Sequence, residues 1–362
     1  MRIAVLSDPG NFHTQKWSLA LKQAGADVTI FSFWESDFDA VPQVKIKPAY
    51  TVGGKITYAS YLYSGKKLAK ALSDHKIELI NPINITPFGV WANRSGFRPM
   101  VSIAMGADIL EYPPDTLQND LDTGRIWASN STEVSRFGQI VYSAKWRIFR
   151  KQVQEALDAS DLITGDNLQL VYAVRNWFEQ PEKKVRLNRW GVEEELIGAT
   201  EAEQKDLREK YGIRDWQKVV VSPRGMKPVY QADVILNAFE KLLRRGTRDV
   251  KMIMLSAGYD IPPALDMRAM KLHDQFETFH YERNLLPREE VLKLWSVADA
   301  MISAPVYDGY SNALGEARYA GVIPIVNPIP ANLELIDHQE NGWVVNPFDA
   351  SELADAILAV ME

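Results

Sequence analysis

The 362-residue chain contains no cysteine, which excludes disulfides and thiolate zinc sites. A reducing cytoplasm is permitted by that absence without being required. Histidine is scarce, with five residues in all, so histidine-based acid–base or metal chemistry has few places to reside. No apolar run reaches the roughly 20 residues needed to cross a bilayer. Internal repeats and low-complexity tracts are absent. No G-x-G-x-x-G string follows the first strand, so a dinucleotide cofactor is not supported. The opening MRIAVLSDPG runs straight into a strand, and no signal peptide is expected. A net charge of −6 argues against a nucleic-acid partner as a global property, while leaving room for a local basic patch.

What is present fits a soluble α/β protein. Hydrophobic residues make up 46% and charged residues 24%, and the length allows two domains with real cores. Ten tryptophans are many for this length; core packing and stacking on a sugar are both open to them. Arg2–Ser7 reads as a strand, broken at Asp8-Pro9-Gly10-Asn11. A helix is expected over His13–Ala24, ended by Gly25, and a second strand over Asp27–Phe33. Strand, glycine turn, helix and strand open a doubly wound sheet. Further strands are expected at Ile77–Asn81, Pro99–Ala104 and Asp161–Gly165, with a helix over Phe88–Ser95. Leu117–Ser135 is polar and aperiodic and reads as a mobile cleft loop. Tyr142–Leu157 reads as an amphipathic helix with a basic face and apolar Trp146, Phe149 and Val153. Two readings stay open for it: docking on an anionic membrane, or packing in the core with one side solvated.

A second sheet starts at Lys218–Ser222 and continues at Val250–Leu255, Thr278–His280 and Val297–Ser303. The stretch Pro305–Glu334 completes it as turn, helix and strand, a βαβ unit. Asp308 and Glu316 bracket the helix start with seven residues between them. Both can face a ligand at the helix N-terminus, where backbone N–H groups favour phosphate and carboxylates accept from sugar hydroxyls.

The string D-G-x-S-N-x-L-x-E-A-x-x-A-G, with I-P-A-N-x-E-L-I and N-G-W-V-V-N-P after it, resembles the donor-site signature of family 4 retaining glycosyltransferases. That signature is usually written E-x7-E, and Asp308 stands here at the first acid. The resemblance implies the GT-B fold, with two Rossmann-like doubly wound parallel-sheet domains facing across a cleft. Residues 1–192 would be the acceptor-side domain and 193–362 the donor-nucleotide domain.

By that likeness Glu316 holds the ribose and Asp308 meets the transferred sugar. Gly309, Tyr310, Ser311, Asn312 and Leu314 would contact sugar and phosphates at the helix start. Arg224, in S-P-R-G-M-K-P-V-Y, matches the family arginine that neutralises the diphosphate. The family lysine usually falls five or six residues later, where Val229 and Tyr230 stand, so its role is assigned to Lys227. Gly258 matches the loop near the nucleotide. Gly10 and Asn11 match the family's first turn and would bind the donor at the cleft, with His13 and Asp108 on the acceptor side. Met105-Gly106-Ala107-Asp108 holds no histidine, so the family histidine that touches the transferred sugar has no counterpart.

The activity implied is transfer of a sugar from a UDP- or GDP-sugar to a glycan or lipid-linked acceptor in cell-surface polysaccharide biosynthesis. It would need no metal and no cofactor beyond the donor, and would take place in the cytoplasm or at the inner membrane face. A sugar-nucleotide epimerase and a non-catalytic nucleotide-sugar binder are the alternatives; a phosphorylase would need a pyridoxal-phosphate lysine setting that is not seen. A terminal helix usually crosses back onto the first domain in this fold. Ending at Glu362, the sequence leaves little chain for that crossing.

Overall fold

The computed structural model describes residues 1–113, 136–258, 261–346 and 348–362, with backbone alone at 136–145 and 195. The expected loop over Leu117–Ser135 lies outside the described residues, as do Tyr259 and Asp260. The described chain divides into two compact units, one of residues 1–113 and 136–189 and one of Trp190–Glu362.

In the first unit, β1 (Arg2–Leu6), β2 (Asp27–Ser32), β3 (Gln43–Lys45) and β4 (Leu79–Pro82) pair in parallel in the order β3-β2-β1-β4. A second parallel set, β5 (Val101–Ala104), β6 (Leu162–Gly165) and β7 (Val185–Leu187), follows in chain order. Parallel bridges Ile80↔Met100 and Ile83↔Ile103 join the two sets. Ile3, Ala4, Val5 and Leu6 are all buried, so β1 reads as an unbroken apolar run, as strands covered on both faces do. Helix α1 (Phe12–Gln23) starts at Asn11, whose side chain accepts from the His13 N–H at 2.8 Å.

Helix α2 (Arg136–Ala159) is longer than the sequence periodicity suggests. Its apolar stripe is turned inward. Trp146 and Val153 are buried, and the Trp146 indole donates to the Glu111 carbonyl at 3.2 Å. The Phe149 ring lies 4.5 Å from that of Tyr58. Arg147, Ile148 and Lys151 form the exposed side. Of the two readings of this helix, the geometry matches core packing with a solvated side. Among the described residues no helix is long and apolar enough to cross a membrane.

The second unit holds β8 (Lys218–Ser222), β9 (Val250–Leu255), β10 (Phe279–Glu282), β11 (Ala300–Ser303), β12 (Ile323–Val326) and β13 (Trp343–Val344). They form one parallel sheet in the order β10-β9-β8-β11-β12-β13. Successive side chains point to opposite faces, and the core divides accordingly. Val220, Met252, Met254 and Ile302 pack with Ile235, Leu236 and Phe239 of α3 (Ala232–Arg245) and with Leu353 and Ile357 near the C-terminus. Val219, Val221, Ile253 and Met301 pack against Tyr211, Trp295 and Leu314 on the other face. The chain leaves β8 for β9 on one side and later fills β11 on the other. The carboxyl ends of β8 and β11 therefore form a topological switch point, where open α/β sheets take their ligands.

Candidate functional site

Three turns leave the carboxyl ends of β8, β9 and β11 and pack on one another. Met226 N donates to Ser256 O at 3.4 Å, and Val306 N to Val229 O at 2.7 Å. A Cβ on Gly225 would stand 2.9 Å from Ser256 O and 3.1 Å from the Ala257 Cβ. Only glycine lets these turns approach so closely. Gly258 has φ +73°, and its Cβ would stand 2.7 Å from Leu285 N.

Arg224 sits where the turns meet. Its Nη2 lies 3.0 Å from Asp308 Oδ2, and Nη1 donates to Ser311 Oγ at 3.1 Å. The guanidinium carbon stands 4.4 Å from the Tyr230 ring centroid. Burial alone pushes the guanidinium down, but Asp308 and Tyr230 outweigh it and raise its pKa, so the cation is held. Asp308 also accepts from the Gly309 N–H at 3.0 Å. Ser311 caps α4 (Asn312–Tyr319), its Oγ accepting from the Leu314 N–H at 3.4 Å. The Arg224 cation and the positive end of α4 thus share one serine, which suits the site to an anion.

Glu316 lies in the second turn of α4 and is 2% exposed. Its Oε1 accepts from Arg288 Nη2 at 2.7 Å, and the same Nη2 reaches Glu193 Oε2 at 2.9 Å. Among the described residues no group of three or more His, Asp or Glu is placed to hold a metal ion.

Two family models match the chain: glycosyl transferases group 1 over residues 217–362, and glycosyl transferase 4-like over residues 2–131. The chain belongs to the group 1, 4-like glycosyl transferase family and has the GT-B fold. The chain is 23% identical over 239 residues to an uncharacterised glycosyltransferase of Methanocaldococcus jannaschii, covering 62% of the chain and 57% of that relative. It spans little more than half the length of the curated relatives it matches. Its fold is shared with sucrose-phosphate synthase of Thermosynechococcus elongatus, at TM-score 0.74 and 15% identity, over 100% of this chain and 90% of that one. It is shared too with Anabaena HepE in complex with UDP-glucose, at TM-score 0.73 and 14% identity, with the same two coverages.

In the second unit, Asp308, Gly309, Tyr310, Ser311 and Arg224 come together as one cluster. The Tyr310 ring lies against α4, and a Cβ on Gly315 would meet its Oη at 3.1 Å. Asn312 opens α4, and Leu314 is different in kind: its side chain belongs to the core, so only its backbone faces the cap. Lys227 caps the short turn Pro228–Tyr230 with its backbone carbonyl, which accepts from Tyr230 N at 2.9 Å.

Gly10, Asn11, His13 and Asp108 belong to the first unit. Gly10 N donates to Asp8 Oδ1 at 2.9 Å, and Asn11 and His13 begin α1. Asp108 is buried and pins two turns: Oδ2 accepts from Ile85 N at 2.6 Å, Oδ1 from Met105 N at 3.0 Å and Gly106 N at 2.9 Å. Burial lifts its carboxyl to about 6 against the pull of these donors. Its contacts are those of a structural staple.

Tyr230, Arg288 and Glu193 are absent from the sequence-based assignment. Tyr230 stands six places after Arg224, where the family pattern puts lysine, and that displacement was its one signal. Arg288 and Glu193 lie 95 positions apart, and no local spacing announces the pair.

Proposed function

We propose that the protein is a retaining glycosyltransferase that moves a sugar from a UDP- or GDP-sugar to a glycan or lipid-linked acceptor. Cell-surface polysaccharide biosynthesis in the cytoplasm, at or near the inner membrane face, is the setting we propose. The observation that carries the reading is Arg224, held between Asp308 and Ser311 at the start of α4. It supplies a fixed cation where a departing nucleoside diphosphate would gain charge. Such a group counts for more in the transition state than in the ground state. Anabaena HepE, of the same fold, binds UDP-glucose.

In this reading Arg224 takes the diphosphate, with Lys227 beside it in the turn. Asp308 meets the transferred sugar and Glu316 the ribose hydroxyls. The anomeric carbon–phosphate oxygen bond breaks as the acceptor oxygen bonds on the same face. The acceptor proton passes to the leaving diphosphate, so no protein nucleophile is needed, and the charge that develops is met by Arg224. His13 is the acceptor-side assignment in the first unit.

A second reading, a binder without turnover, is favoured by one feature: Met105-Gly106-Ala107-Asp108 carries no histidine. The test incubates the protein with UDP- and GDP-sugars and a panel of saccharide acceptors, following nucleotide release and the anomeric configuration of the product by NMR. Acceptor-stimulated release with retained configuration is expected. Inverted product overturns the retaining mechanism, and binding without release at any acceptor selects the second reading.

A further inference from the structure

We infer that Arg288 is a positioning residue for the nucleotide: it holds the Glu316 carboxylate so that one oxygen is kept for the ribose hydroxyls, and Glu193 in turn holds Arg288. The inference rests on the proposed role of Glu316. A carboxylate 2% exposed needs a partner, because an unpaired buried charge is costly. Arg288 supplies it at 2.7 Å to Oε1. Oε2 accepts no hydrogen bond among the described residues.

The guanidinium is itself fixed. Its Nη2 and Nε reach Glu193 Oε2 at 2.9 and 3.3 Å, so two carboxylates from separate segments define one plane. Three stretches meet there: Glu193 near the start of the second unit, Arg288 opening the helix Arg288–Leu294, and Glu316 in α4. The charge balance matters as much as the geometry. Of the three side chains, one guanidinium faces two carboxylates, so the trio by itself carries a net negative charge. Glu316 therefore remains a strong acceptor for hydroxyl donors instead of being neutralised by a partner of its own. Lysine at 288 keeps a cation, but its point charge cannot reproduce the planar fork.

The test uses the ribose itself. Dissociation constants for UDP, GDP and their 2′-deoxy forms are measured by calorimetry on wild type, Glu316→Ala, Arg288→Ala, Arg288→Lys and Glu193→Gln. The ribo-to-deoxy ratio is internal to each variant, so a change in overall stability does not imitate the effect. Wild type is expected to favour the ribonucleotide by about tenfold or more, the size of a hydrogen bond to a charged group. Glu316→Ala should abolish that preference. Arg288→Ala should reduce it to within about threefold, with partial recovery in Arg288→Lys. Glu193→Gln should lie between wild type and Arg288→Ala.

A ratio lost in Glu316→Ala but kept in Arg288→Ala overturns the positioning role and leaves the ribose assignment standing. A ratio kept in Glu316→Ala overturns the ribose assignment, and the inference with it. If wild type binds none of the four nucleotides, the proposed function falls and the inference falls too.

Discussion

Arg224 and Asp308 form an ion pair, 3.0 Å from Nη2 to Oδ2, with side chains 17% and 18% exposed. They sit on turns that leave neighbouring strands, β8 and β11, so the sheet order brings them together across more than eighty residues of chain. The pair explains how an aspartate can stand at the first position of the acid signature. It reaches the cation and stays tied to the turn through the Gly309 N–H.

A diphosphate bound beside Arg224 would compete with Asp308 for the guanidinium. Asp308→Asn should therefore leave the affinity for UDP or GDP unchanged or raise it several-fold, while turnover falls by about two orders of magnitude. Arg224→Ala should weaken the nucleotide by roughly ten- to a hundredfold. It should also lower stability by about 3 kcal/mol, because it strands a partly buried carboxylate. Calorimetry and initial rates check both. Equal loss of nucleotide affinity in the two variants would contradict this division of roles.

Gly225→Ala should drive the Arg224 turn away from Ser256, since the new Cβ would begin 2.9 Å from a backbone carbonyl that has no rotamer to give. A loss of about 1–3 kcal/mol is expected, together with weakened nucleotide binding. Gly191→Ala is the control, because a Cβ there meets nothing within 4 Å. Denaturant unfolding of the two variants should separate them cleanly; equal destabilisation would remove the close-approach argument.

His280 carries an acid sensitivity. It lies between the rings of Tyr211 and His273, at centroid distances of 4.8 and 5.0 Å. Burial first, then His273 and Lys251, push it down to about 4 from an ordinary 6.5, against the upward pull of Glu282. The native state therefore rejects a proton that the unfolded chain accepts. Its contribution to stability is full above about pH 6.5 and is lost as pH falls towards 4, about 3 kcal/mol in all. Urea titrations from pH 7.5 to 4 should show a steeper loss for wild type than for His280→Phe. Parallel pH profiles would refute the assignment.

Asp108→Ala should act on stability and not on the donor. Three backbone N–H groups lose their acceptor, at roughly 1–3 kcal/mol for a buried donor left unmade. The melting midpoint should drop while the affinity for UDP or GDP stays within about twofold. A nucleotide affinity lost in step with stability would contradict a purely structural role.

Much of the second unit could be read from the chain because its signals are local. K-V-V-V-S and V-K-M-I-M-L are strands made mostly of apolar residues, and the turn–helix–strand after Pro305 carries its cap, its acids and its stop within thirty residues. Arg224 was legible for the same reason, standing directly after β8. The segment after Phe33 was not. β3 has three residues and none is buried, and the helices Tyr58–Tyr63 and Gly65–Asp74 adjoin it. Such short elements take their stability from packing that no periodicity displays. The stripe of Trp146, Phe149 and Val153 was visible as a stripe, but its partner was not, and only the fold shows that it faces inward. Arg288 and Glu193 are ordinary charges in sequence and become a pair only in space.

The central claim is that the Arg224–Asp308 pair, with Glu316 further along α4, binds a nucleoside diphosphate. Thermal melting with UDP, GDP, ADP and their sugars tests it most directly, on wild type beside Arg224→Ala and Glu316→Ala. A ligand that binds only the native state at about a hundred times its Kd adds about 2.7 kcal/mol, enough to move the midpoint by several degrees. The account predicts a rise for one nucleotide family that each substitution cuts to about half or less. No rise with any of them, or a rise undiminished in both variants, would contradict it.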